Sequence, residues 1–113
     1  MRLEVIGNIY KRKKEERERL REACLAMVFN ALETFLKEAY FEEAYIFGSV
    51  TRPFQFGQLS DIDIAFKGLD KDKLFYATAF FSRELGRDVN IVPIEGVHFS
   101  EKIVREGIRW KKG

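Results

Sequence analysis

Ala44-Tyr45-Ile46-Phe47-Gly48-Ser49 is followed, one short loop later, by Asp61-Ile62-Asp63-Ile64-Ala65-Phe66. The first run is apolar up to an abrupt Gly-Ser and reads as a buried strand that ends in a turn. The second alternates polar and apolar residues, the period of a strand with one face on a core. Residues i and i+2 of a strand share a face, so Asp61 and Asp63 lie side by side while Ile62 and Ile64 point inward. Two carboxylates that close repel unless something neutralises them. A divalent cation does so, and Mg²⁺ favours a few carboxylates together with phosphate oxygens. The bland alternative is the solvent-facing edge of an amphipathic strand.

Gly48 and Ser49 bear on that choice. A glycine directly after a buried strand lets the backbone approach a ligand closely. A serine opening a turn offers both its N–H and its hydroxyl to a phosphate. Alone, Gly-Ser is a turn. Strand-Gly-Ser, a short loop and strand-Asp-x-Asp together place a phosphate cradle beside a metal pair, as binding of a nucleoside triphosphate with Mg²⁺ requires.

Working outward, residues 10–40 contain neither Pro nor Gly. Cys24, Leu25, Val28, Phe29, Ala31, Leu32, Phe35, Leu36 and Ala39 fall on one wide arc at 3.6 residues per turn, which predicts a long helix. So wide an arc suggests contact with the sheet and with another subunit. The first half of this helix, Lys11 to Glu22, is nearly all charged and is expected to project. Residues 1–8 read either as an edge strand (Leu3, Val5) or as a loose lead-in. Residues 50–59, with Pro53 and Gly57, read as a loop with room for one helical turn. Asp70 is placed to cap a helix over 71–85 that Gly86 stops, with Leu74, Ala77, Thr78, Phe81 and Leu85 as its core stripe. Asp88 to Pro93 reads as a third strand and Ser100 to about Gly107 as a last helix, before a basic tail. Strands interleaved with helices predict an α/β or α+β fold: a small mixed sheet with helices packed on it and a long N-terminal helix.

At 113 residues, 46% hydrophobic and 34% charged, the chain suits one folded domain. A net charge of +2 is too small to argue for nucleic acid, which is not an expected partner. The run Lys11-Arg12-Lys13-Lys14 is followed at once by Glu15, Glu16 and Glu18. It reads as a solvated helix face with i,i+4 ion pairs, the alternative being a contact with RNA or an acidic protein. The lone Cys24 excludes an internal disulfide, and with the lone His98 it makes no zinc site. No segment approaches the roughly 18–20 apolar residues of a membrane span, and Met1-Arg2-Leu3-Glu4 lacks a signal peptide's apolar core. A cytoplasmic protein is expected.

Phe47-Gly48-Ser49-Val50-Thr51-Arg52 followed by Ser60-Asp61-Ile62-Asp63-Ile64 resembles the signature of the polymerase-β-type nucleotidyltransferases. In length and order the chain is similar to the minimal nucleotidyltransferases (MNT), which pair with HEPN-domain toxins. The resemblance runs from about Ala44 onward. It includes Gly86-Arg87-Asp88-Val89-Asn90-Ile91-Val92-Pro93, which looks like the third-strand motif, and Glu106-Gly107-Ile108. It implies one nucleotidyltransferase domain over 1–113, with its core at about 44–113 and the N-terminal helix at about 10–42. It also implies that Gly48 and Ser49 hold the triphosphate, that Asp61 and Asp63 are catalytic and hold Mg²⁺ or Mn²⁺, and that Arg52 touches phosphate or is simply a surface loop residue. The activity implied is transfer of AMP from ATP to a hydroxyl, such as a tyrosine of a HEPN toxin, by an antitoxin. The residues themselves do not select ATP over other NTPs.

Two features depart from the pattern. Phe54 and Phe56 stand in a loop that is polar in the family. They read either as a base-stacking or protein-contact surface or as side chains folded back on the core. The third carboxylate, which in the family serves the second metal and the attacking hydroxyl, falls on Asn90. A neutral amide cannot act as that base. Asp88, two residues earlier, would share the face at roughly 6–7 Å and reads as a substitute or as a surface residue at the strand's start. Glu95 is expected to be too far. The expectations are therefore an active AMP transferase or, if Asn90 has cost it the chemistry, an NTP-binding protein that neutralises its partner by contact. A nucleic-acid-modifying subunit is a third possibility. Homo- or hetero-oligomers would form through the N-terminal helix.

Overall fold

In a computed structural model of the protein, residues 3–112 are described, with side chains described from residue 7 onward. Helix α1 spans Leu3–Leu36. Residues 3–8 therefore extend the helix and form neither an edge strand nor a loose lead-in, while residues 1 and 2 lie outside the described part. Adding residues to an existing helix gains a hydrogen bond for each residue fixed, so α1 grows past Gly7 at modest cost. It stops at Leu36, before the expected Tyr40. The N–H of Lys37 bonds the Thr34 carbonyl and those of Glu38 and Ala39 bond Phe35, a tightening last turn. The chain then reverses so that Phe41 is buried and its ring stacks on Phe35 with centroids 6.0 Å apart.

Among the described residues, four strands form one sheet in the order β3-β2-β1-β4. They are β1 (Glu43–Phe47), β2 (Ile62–Lys67), β3 (Val89–Pro93) and β4 (Ile108–Trp110). β1 is antiparallel to β2 and to β4, and β2 is parallel to β3, so the sheet is mixed as expected. The parallel pair is joined through helix α2 (Leu74–Leu85), the crossover that parallel strands require. Helix α3 (Ser100–Glu106) precedes β4. β4 was not foreseen, because three residues are too short for a periodicity to register.

Side-chain alternation divides the sheet into two faces. Ala44, Ile46, Ile62, Ile64 and Phe66 pack with Cys24, Val28, Leu32 and Phe35 of α1 and with Ala77, Phe80, Phe81 and Leu85 of α2. Phe35 is the hub, with ring centroids 5.2 Å from both Phe80 and Phe81 and 5.7 Å from Phe66. The other face is smaller: Tyr45 and Ala65 are buried with Ile94 and with Ile103 of α3. Asp63, two residues before Ala65, belongs to this second face. α2 starts three residues later than expected. A 3-10 turn, Lys71–Lys73, precedes it, and Asp70 caps that turn with its backbone carbonyl, not its carboxylate. Gly86 ends α2 in the left-handed region, as expected. No helix among the described residues is long and apolar enough to cross a membrane.

Candidate functional site

β1 ends at Gly48, whose backbone (φ 81°, ψ −156°) lies in a region essentially restricted to glycine. A Cβ added there would run into the Asp63 carboxylate. Gly48 is thus required twice, by its dihedrals and by the acid lying against it. Ser49–Thr51 then forms a 3-10 turn. The Thr51 hydroxyl donates to the Gly48 carbonyl at 2.7 Å, and the Thr51 and Arg52 N–H groups bond the carbonyls of Gly48 and Ser49. Val50 is fully buried and anchors the turn in the core. The N–H groups that open such a turn have no partner within it, which suits them to an anion.

Asp63 sits on β2 directly between Phe47 of β1 and Asn90 of β3. The Asn90 side-chain amide donates to Asp63 Oδ1 at 2.8 Å. Burial pushes the Asp63 carboxyl above the ordinary carboxylate range. The Asn90 hydrogen bond opposes that shift, and the charge of Asp61 adds to it. Asp61 itself is exposed and stands just ahead of β2, which begins at Ile62, so the paired acids straddle the strand's start. Asp61 lies near enough for its charge to act on the Asp63 carboxyl. Asp88 is exposed, and its backbone carbonyl accepts the Ile62 N–H at 3.1 Å. Among the described residues no three acids, histidines or cysteines gather as a metal site, so Asp88 does not complete the pair. Glu95 accepts the Gly68 N–H at 2.7 Å, at the far end of β2. Two carboxylates beside an open glycine turn fit one Mg²⁺ that completes its shell with phosphate oxygens and water.

Arg52 is exposed and lines a 430 Å³ groove with Phe47, Gly48, Thr51, Phe99 and Lys102, among others. Glu106 also lines the groove and lies 4.0 Å from the Lys102 ammonium, which leaves Arg52 as the cation beside the glycine turn that is suited to phosphate. Of the loop aromatics, Phe56 is fully buried, so it folds back on the core, whereas Phe54 is half exposed.

Three residues that pattern reading missed hold the loop between Gly48 and Asp61. Arg87 donates to the carbonyls of Gly57 (3.2 Å) and Ser60 (2.8 Å), with its guanidinium 4.6 Å from the Phe56 ring centre. Glu18 of α1 accepts the Phe54 N–H at 2.6 Å and pairs with Arg21, which in turn donates to the Val50 carbonyl at 3.2 Å. Phe54 has a positive φ of 66°, uncommon for a bulky residue. The charged half of α1 therefore does not simply project, because its last turn grips the loop. The i,i+3 spacing of Glu18 and Arg21 was a visible signal for their ion pair. Nothing in the sequence signalled what else they hold.

A mixed sheet carrying a Gly-Ser turn at one strand end and an Asp-x-Asp pair on its neighbour is the nucleotidyltransferase-type fold that the motifs implied. No protein-family model matches the chain, and no curated protein is significantly similar to it. Solved structures do match. A toxin–antitoxin complex crystallised with AMP-PNP contains a chain 24% identical, with a TM-score of 0.62 over 74% of this chain and 73% of that one. A mutant MntA-HpeT toxin–antitoxin with two aspartate-to-glutamate changes gives 22% identity and a TM-score of 0.61 over 74% and 73%. A tyrosine-to-alanine mutant of MntA-HpeT gives 25% and 0.58 over 74% and 72%. These likenesses show that the fold is shared.

Proposed function

We propose that this chain is a nucleotidyltransferase-type antitoxin that binds an NTP, ATP by analogy, at Gly48, Ser49 and Arg52, with Mg²⁺ held by Asp61 and Asp63. The observation that carries this reading is the packing of the Asp63 carboxylate against the glycine turn, which couples the phosphate cradle to the acid pair. Two further points support it. One similar complex was crystallised with AMP-PNP, and another carries changes at two aspartates. Mg²⁺ bound at the pair would neutralise charge on the phosphates. In the transfer, an acceptor hydroxyl oxygen would bond to the α-phosphorus and lose its proton to water, the bond to the bridging oxygen of the β-phosphate would break, and pyrophosphate would leave. The proposed acceptor is a tyrosine of a HEPN-domain toxin. The exposed Ile9, Tyr10 and Met27 of α1 offer a contact surface for that partner or for a second copy.

The hydrogen bond from Asn90 to Asp63 favours a second reading, in which the chain keeps its nucleotide and silences the toxin by contact. No base stands at the third position to take the hydroxyl's proton. The deciding experiment incubates the chain with its neighbouring gene product, Mg²⁺ and α-labelled ATP, with Asp63→Asn as control. Label on the partner that vanishes in the control supports transfer. Retained nucleotide without label supports neutralisation by contact, and nucleotide binding unaffected by Asp63→Asn rejects the site.

A further inference from the structure

The two acids and the amide at this site carry a definite charge count. Asp61 and Asp63 together offset one divalent cation. A second cation, about 3.5–4 Å from the first, needs a bridging carboxylate and an acid of its own. The side of Asp63 that faces β3 is where such an acid would stand, because the register sets residue 90 directly beside it. That neighbour is Asn90, and its amide N–H points at Asp63 Oδ1 from 2.8 Å. Its hydrogens carry positive partial charge and take the acceptor direction of that oxygen on the side toward β3, where a second cation would have to sit. The remaining oxygen, Oδ2, is the atom closest to the place a Gly48 Cβ would take, so it faces the phosphate cradle. Asp88 brings no help, since no third acid gathers with the pair among the described residues.

We infer that Asn90 limits this site to a single divalent cation, which arrives with the nucleotide, by holding Asp63 with a neutral amide on the side where a third carboxylate would bind a second ion. The inference rests on the nucleotide-binding reading above. Asn90 is a positioning residue in this role: it fixes the orientation of Asp63 so that one oxygen is spoken for and the other faces the phosphates. Asp61 and Asp63 would hold the one cation that remains, and it would offset charge on the phosphates. The one that is missing would have lowered the proton affinity of the attacking hydroxyl. Such a site would still bind an NTP but transfer its nucleoside monophosphate slowly.

The test is to count ions. The whole chain is loaded with AMP-PNP and Mn²⁺, and bound species are counted by native mass spectrometry, with electron paramagnetic resonance to detect Mn–Mn coupling. The wild type is expected to hold one Mn²⁺ per AMP-PNP and to show no coupling. Asn90→Asp is expected to hold two, coupled, with the second ion bound at least about tenfold more tightly than in the wild type. Two coupled ions in the wild type, or a single ion in a folded Asn90→Asp, overturn the inference and leave nucleotide binding standing. A wild type that retains no AMP-PNP overturns the function proposed above and the inference with it. Should Asn90→Asp fail to fold, the wild-type count decides alone.

Discussion

Gly48 and Asp63 are fitted to each other, and each yields a prediction. Gly48→Ala forces a side chain into a backbone region that only glycine tolerates, at a cost of about 1–3 kcal/mol, and also displaces the carboxylate behind it. The expected result is a lower melting midpoint together with loss of AMP-PNP binding. A variant that melts lower yet binds normally would mean that the turn and the acid are not coupled. Asp63 sets function against stability. Its folded-state carboxyl is raised by burial and by Asp61, so the fold holds that proton more tightly than the unfolded chain does. The stabilising effect is full at pH below the ordinary carboxylate value and is lost as pH climbs through the raised one. Asp63→Asn removes the titration, so the apo variant should match the wild type in acid and exceed it in melting temperature at neutral pH. Melts across a pH series check this, and a variant less stable at neutral pH would contradict it. Gly48, Ser49, Asp63 and Asn90 stood out in the sequence as candidates because each belongs to a short motif with a fixed spacing, and the register does set Asn90 beside Asp63. Arg87 and Glu18 were not, because the carbonyls and N–H they bind lie 27 to 36 residues away and no local pattern marks such a pairing.

At the scale of elements, the long helix and the alternating strands followed from periodicity, and the buried stripe from Cys24 to Phe35 came out on the predicted side. The ends did not, since α1 stops where the chain must turn to bury Phe41, which is a tertiary requirement. Phe80 was missed on α2 although its ring packs at the hub. Phe35→Ala should cost about 3–5 kcal/mol, because the cavity it leaves is walled by other rings that are themselves fixed by packing. Denaturant unfolding measures this, and a loss below about 1 kcal/mol would mean that the ring cluster collapses freely. The grip of α1 on the loop makes a different kind of prediction. Glu18→Ala should speed hydrogen exchange at the Phe54 amide with little change in the midpoint of melting, since the bond it removes lies at the surface of the fold.

The molecule as a whole is drawn out. Its radius of gyration is 16.1 Å and its extents are 57 × 28 × 25 Å. A compact chain of this length would have a radius of about 13 Å. The excess follows from α1, whose 34 residues span about 51 Å, far more than the sheet it packs on. Nucleotide with Mg²⁺ should stabilise this whole assembly by about 2.7 kcal/mol at a concentration one hundred times its Kd, and EDTA should abolish that gain. Equal melting curves with and without ligand would contradict the proposed site.

Phe47, Asp63 and Asn90 come from three different strands and meet only when all three are in register. A slip of β3 by a single residue would turn Asn90 to the opposite face and set Val89 or Ile91 beside Asp63. The hydrogen bond from Asn90 to Asp63 is therefore more than a local contact. It forms only once the parallel crossover has closed and the sheet is in register, so a chain that stops short of residue 90 lacks it.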